Sequence, residues 1–167
     1  MSGPDEDAVR ARLAAVEAQE RAILLRRFDA EDAWSLGCRL RELAMADGVS
    51  VAIEIRRGPA TAFVHLLPGA TATHLDWTAR KIALVEKFER SSFAMGMVFA
   101  LEPGLFERSG LSLDRFVAEG GAVPIRVDGT GMVGVVAISG LPQDQDHAMA
   151  IRALEGLRTD QAGDRRA

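Results

Sequence analysis

The chain has 167 residues, with one cysteine, three histidines, two lysines and no tyrosine. A lone Cys38 cannot form an internal disulfide, and zinc sites built on paired cysteines are excluded, so a reducing compartment is the simplest setting. No apolar run reaches the roughly 18 residues needed to cross a bilayer, and the start MSGPDEDAVR lacks the basic-then-apolar order of a signal peptide. The chain therefore reads as cytoplasmic, with no membrane partner. Its 18 Arg and 2 Lys are scattered among 24 acids at a net charge of -4, without the basic stripe that nucleic-acid binding requires. A chain of this length buries roughly 68–70% of its unfolded surface, enough for one domain without a staple.

Periodicity organises what is present. Val9, Leu13, Val16 and Glu20 recur at helical spacing behind an acidic first turn, which predicts an N-terminal helix over residues 1–20. Asp29 reads as the N-cap of a second helix, with Asp32 three residues on and Trp34, Leu36, Leu40, Leu43 and Ala44 at helical intervals. VSVAIEIRR and TAFVHLL, separated by Gly58-Pro59, alternate with period two and predict a hairpin. THLDWTARKIALVEKFERSS is the clearest helix, and SSFAMGMVFAL is a further buried one broken off at Ser91-Ser92. LSLDRFVAEG is expected as a short helix. AVPIRV and MVGVVAIS then form a second hairpin about Asp128-Gly129-Thr130-Gly131, and a last helix begins near Gln143.

This order predicts an α+β fold: an antiparallel sheet of about five strands flanked by helices, not a doubly wound parallel sheet. The domain core is placed at residues 22–158, and residues 159–167 are expected to fray.

Chemistry is best sought in GMVGVVAISGLPQDQDH, residues 131–147. A strand delivers Ser139 to its end, Gly140 permits close approach of a ligand to the main chain, and Asp144 and Asp146 open a helix. Capping and dipole matching are the competing roles of those acids. His147 follows them and suits a general base or an imidazole ligand held by a carboxylate. His65 shares a strand face with Phe63 and Leu67 and reads as a buried, hydrogen-bonded histidine, while His74 reads as a capping residue. No metal-binding spacing joins the three. Ser139 lacks the GxSxG elbow of a serine hydrolase, and the glycines at 129–134 lie in a turn and a strand, not in a dinucleotide loop. Cys38 beside Gly37 reads as a small buried thiol. Lys81 lies near Trp77 on one helix face, where it either snorkels over the indole, pairs with a buried acid, or reaches an anionic ligand.

LDWTARK, FERSS, AEGGAVPIRV and GMVGVVAISGLPQDQDH, in this order, resemble the heme-degrading-domain family, relatives of the GlcG and HbpS proteins and of the C-terminal PduO domain, in its short cytoplasmic branch. The resemblance spans about residues 25–158. It implies a profilin-like α/β/α sandwich and a homo-oligomer built from dimers. The recurrent motif positions it carries over are Trp77, Lys81, Ser91, Ser92, Gly120, Gly121, Pro124, Gly134, Ser139, Gly140, Leu141, Pro142, Asp146 and His147. THLD departs from the family pattern, which has an asparagine in that segment.

Three function classes follow. The first is an oligomeric small-ligand-binding protein, with Trp77, Lys81, Ser91, Ser92, Gly121, Ser139, Gly140, Asp146 and His147 around heme or a related anionic ligand. The second is a heme-degrading enzyme in which His147 or His65 ligates iron, Arg80 or Lys81 meets a propionate, and oxygen with an external reductant opens the ring. The third is a non-catalytic oligomeric adaptor.

Overall fold

A computed structural model describes residues 4–164. Helix α1 (Pro4–Arg21) and helix α2 (Ala30–Ala46) precede the hairpin β1 (Ala52–Arg57) and β2 (Ala60–Leu66). Helices α3 (Ala72–Phe88), α4 (Ser92–Leu101) and the single turn α5 (Leu105–Arg108) lead to β3 (Ala122–Val127), β4 (Gly131–Ser139) and α6 (Gln143–Gly163). The four strands form one antiparallel sheet in the order β2-β1-β4-β3. About five strands were expected. The fifth contact exists as a single parallel bridge, Leu25 to Val127, because only the Leu25 amide and carbonyl reach the edge of β3 before the chain turns into α2.

Strand parity sorts the core into two faces. Ile53, Ile55, Val123, Ile125, Val136 and Ile138 pack against Leu36 and Leu40 of α2 and Met149, Ile151 and Leu154 of α6. Ala122, Val135 and Ala137 face the other way, onto Ile82 and Val85 of α3. The result is the α/β/α sandwich, with α1 added outside: Val9, Leu13 and Val16 cover Phe93, Ala94 and Met97 of α4.

The caps explain where several elements start. Asp29 accepts the Asp32 amide while the Asp32 carboxylate accepts the Asp29 amide, a closed capping box. Ser91 accepts the Ala94 amide at the head of α4, so the Ser91-Ser92 break is a helix start.

Two readings of the chain need correction. Leu111–Gly120 is not a helix; it forms a turn and an extended run, with Leu111 packed on Leu84 and Met95 and the Val117 amide donating to the Arg80 carbonyl. The tail does not fray from 159 on. Helix α6 continues to Gly163 because Gln161 is buried and bonds the Arg26 amide, the Arg27 carbonyl and Asp32. Residues 165–167 of that tail lie outside the described residues.

Candidate functional site

Because β4 alternates, Ser139 shares the α3 side of the sheet with Val135 and Ala137, at the strand's last position. Gly140, at φ 149°, then turns the chain tightly against the Ser50 carbonyl, where an added Cβ would sit 2.4 Å from that oxygen. Pro142 starts α6, and its first turn brings Asp146 back over the end of the strand. There Asp146 meets Lys81 of α3: Lys81 Nζ donates to Asp146 Oδ2 at 3.1 Å and to the Ile138 carbonyl at 2.9 Å. Asp146 Oδ1 accepts the Leu141 amide, which locks the loop to the pair.

Both partners are almost wholly buried, Lys81 at 2% and Asp146 at 1% exposure. Burial pulls the Lys81 ammonium below its ordinary value although Asp146 opposes the shift, and burial pushes the Asp146 carboxyl up although Lys81 opposes it. Each group is driven toward its neutral form, so the desolvation of two charges outweighs their attraction.

The pair forms the floor of a cavity of about 280 Å³, lined also by Thr73, His74, Trp77, Glu119, Ser139, Gly140, Leu141 and Gln143. That volume lies at the small end of ligand sites, which run from roughly 300 to 1,000 Å³. An ammonium has three donors, and the hydrogen bonds to Asp146 and Ile138 use two. Two carboxylates, Asp146 and Glu119, face one ammonium in the lining, so the expected anionic ligand is disfavoured here. His74 belongs to the local frame: its Nδ1 accepts the Thr71 amide at 2.9 Å, as a capping role requires. Lys81 does not snorkel over Trp77; the Arg80 guanidinium takes that place, 4.6 Å from the indole centroid.

Five of the nine candidate residues therefore converge: Trp77, Lys81, Ser139, Gly140 and Asp146. Gly121 stands behind them. At φ 130° its hypothetical Cβ would lie 2.8 Å from Lys81 Nζ and 2.3 Å from the Ile138 carbonyl, so only glycine lets β3 pass so close to the pair. Ser91, Ser92 and His147 do not line the cavity. Ser92 Oγ accepts the Ala122 amide and ties α4 to β3. His147 lies one residue, about 100° of helix, beyond Asp146 and points instead beneath α1 and α4. Its ring is 4.8 Å from that of Phe93, its Nε2 is 3.9 Å from Glu20 Oε1, and among the described residues neither ring nitrogen has a hydrogen-bond partner. Burial and the Arg12 guanidinium lower its pKa to about 4. It does not face the cavity and does not share a site with Lys81.

His65 is half-buried rather than buried, 6.5 Å from the Phe63 ring. It lines an open groove of about 550 Å³ with Trp34, Cys38, Arg41, Ala62, Phe63 and Val64. Cys38 is correspondingly half-buried. Sequence reasoning missed Thr73, Glu119 and Gln143 as cavity residues. One signal was available for Gln143, since AEGG and the head of α6 both close on the same strand end and Gln143 Oε1 accepts the Gly120 amide. Glu119 sits in a loop read as helix, which hid its direction. Among the described residues no group of three or more His, Cys, Asp or Glu could hold a metal ion, and no helix is long and apolar enough to cross a membrane.

Comparison with known proteins agrees with this architecture. The family model described as "Haem degrading protein HbpS-like" matches residues 28–155. A UPF0303 protein of Streptomyces avermitilis is 44% identical over 145 residues, covering 86% of this chain and 89% of that protein. A UPF0303 protein of Paraburkholderia phymatum is 42% identical over 143 residues, covering 85% and 87%. Among solved structures, the Ybr137w protein superposes with a TM-score of 0.83 at 26% identity, over 90% of this chain and 89% of that one. HbpS gives 0.65 at 20% identity, over 78% and 89%, and the PduOC:heme complex gives 0.65 at 21% identity, over 77% and 93%; these two show the shared fold. The resemblance carried by the tryptophan helix and the Ser139–His147 segment is thus a membership: this chain belongs to the HbpS-like haem-degrading protein family.

Proposed function

We propose that this protein binds a small, neutral, polar molecule in the cavity over Lys81 and Asp146. The observation that carries the reading is the buried ion pair at a cavity floor. A pair with so little exposure is a weak stability device, since its desolvation outweighs its attraction, and it gains a purpose when a ligand uses the third donor of Lys81. The net negative lining selects against anions, and the Trp77 ring beside the polar groups of Ser139, Gln143 and Glu119 suits a small hydroxylated or carbonyl compound. Crystals soaked in dihydroxyacetone or glycerol test it: ordered density between Trp77 and Lys81 is expected, and density confined to surface sites contradicts the reading.

Heme is a second reading, favoured by the groove at His65. There an imidazole, two aromatic rings and the Arg41 guanidinium form a donor set that fits iron, a macrocycle and a propionate. His147 is sealed under Phe93, and His74 has its Nδ1 lone pair engaged by Thr71, so the neutral ring carries its proton on Nε2. Bound there, heme would supply redox chemistry, while His65 would hold the iron and Trp34 and Phe63 would flank the ring. Titration with hemin separates the sites: a sharp Soret shift lost in His65→Ala and retained in His147→Ala supports the groove, and a shift insensitive to both leaves adsorption alone.

We read the protein as a cytoplasmic homo-oligomer that uses the same face. Trp34 is 60% exposed, Val64 and Leu66 are exposed beside it, and β2 is an edge strand of the sheet. Light scattering at the 18.0 kDa monomer mass would contradict this.

A further inference from the structure

We propose that Lys81 is a covalent-capture amine, which binds a neutral aldehyde or ketone as an iminium ion balanced by Asp146. The inference rests on the reading of the Lys81 cavity as a ligand site and names the class of ligand. Three observations carry it. Lys81 lines the same cavity as Trp77, so one bound molecule can touch both. Its neighbour Asp146 stands 3.1 Å away and is oriented by the Leu141 amide, so a proton can pass between them without either entering water. In a chain with 18 Arg and 2 Lys, the buried cation is one of the two lysines. An arginine in its place would supply charge and donors, but its delocalised guanidinium does not act as a nucleophile at neutral pH, whereas a desolvated lysine does.

The step balances within the site. Lys81 gives a proton to Asp146, and the freed lone pair attacks the carbonyl carbon. The carbonyl oxygen receives one proton from the attacking nitrogen to give a carbinolamine. Asp146 then returns its proton to the hydroxyl, which leaves as water, and the nitrogen becomes an iminium cation beside the Asp146 carboxylate. One amine, one carbonyl and one proton become one iminium and one water, and no oxidant or reductant takes part. The final charge pair equals the starting one, so the site is electrostatically matched before and after capture.

Trapping tests the proposal on the full chain. Incubation with dihydroxyacetone and sodium cyanoborohydride, followed by peptide mass mapping, compares Lys81 with the other lysine, Lys87, which is exposed. Saturable reductive labelling concentrated on Lys81 is expected. Asp146→Asn, which keeps the shape and loses the proton acceptor, should slow trapping at Lys81 by about a hundredfold, the low end of general acid–base contributions. Glycerol provides the distinguishing control. If glycerol and dihydroxyacetone both perturb the Trp77 indole but Lys81 is labelled no faster than Lys87, covalent capture is wrong and the ligand site stands. If neither compound perturbs Trp77 and Lys81 is not labelled, both readings fall. Mapping on the wild-type chain needs no variant to fold.

Discussion

Replacing His147 by leucine should remove the acid sensitivity that this fold shows between about pH 6.5 and 4. The imidazole is 4% exposed and has no hydrogen bond at either nitrogen among the described residues, so burial opposes its protonation and the folded-state pKa falls to about 4 from an unfolded value near 6.5. The sign follows from linkage: between about pH 6.5 and 4 the unfolded chain binds the proton and the folded chain does not, so stability is lost as pH falls through that window. A shift of this size corresponds to about 3 kcal/mol, or about 6–12 °C in Tm for a chain of this length. The charged groups that face it are the Arg12 guanidinium and the Glu20 carboxyl, both of α1. Burial raises the Glu20 pKa, and an acid raised in this way has the opposite dependence, favouring the fold on acidification. The difference between wild type and His147→Leu cancels that contribution to first order. Thermal melts by circular dichroism from pH 4 to 7.5 should therefore show the two curves diverging below pH 6.5, with the variant the more stable. At pH 7 the variant should lie within about 1 kcal/mol of wild type, because no hydrogen bond to the ring is lost. Parallel curves across the whole range would refute the placement of a neutral, desolvated imidazole under α1.

Removing one partner of the buried pair should be costly. Lys81→Met leaves Asp146 uncompensated and is expected to cost about 3–5 kcal/mol by urea denaturation. The double variant Lys81→Met, Asp146→Leu should recover part of this. It still strands the Leu141 amide, at a cost of about 1–3 kcal/mol. Gly121→Ala combines a left-handed φ of 130° with a Cβ that would collide with the Ile138 carbonyl, so it should destabilise the fold and displace the Lys81 amine together. A Gly121→Ala protein of wild-type stability would contradict the close passage of β3.

Much of the fold was legible because local chemistry and burial agree in it. The Asp29–Asp32 pair, the break at Ser91-Ser92 and the period-two alternation of β1 and β2 each name an element without tertiary help. The segment 111–120 was not legible, since its apolar residues serve contacts with α3 and α4, not a helix face of their own. The end of α6 failed for a related reason. TDQAGD is polar, yet Gln161 fills a buried niche whose hydrogen-bond partners, at 26, 27 and 32, lie far away in sequence. At the candidate site, the Ser139-Gly140 turn named from the sequence lies at the end of β4, beside the cavity that Lys81 also lines. Adjacency in sequence misled for Asp146 and His147, because neighbouring residues on a helix face different layers. The motif is one segment, but it serves two places: Asp146 builds the cavity, and His147 fills the interface with α1.

The cavity over Lys81 and Asp146 is the centre of this account, and the two tryptophans allow it to be tested directly. Trp77 lines that cavity, and Trp34 lies on the exposed face beside β2. In 15N-labelled protein their two indole N–H resonances report the two regions separately during titration with dihydroxyacetone. The account predicts that the Trp77 signal shifts along a saturable curve while Trp34 stays in place, and that Lys81→Met abolishes the shift in a protein shown to be folded. A Trp77 signal that does not move, or that moves linearly together with Trp34, would contradict it.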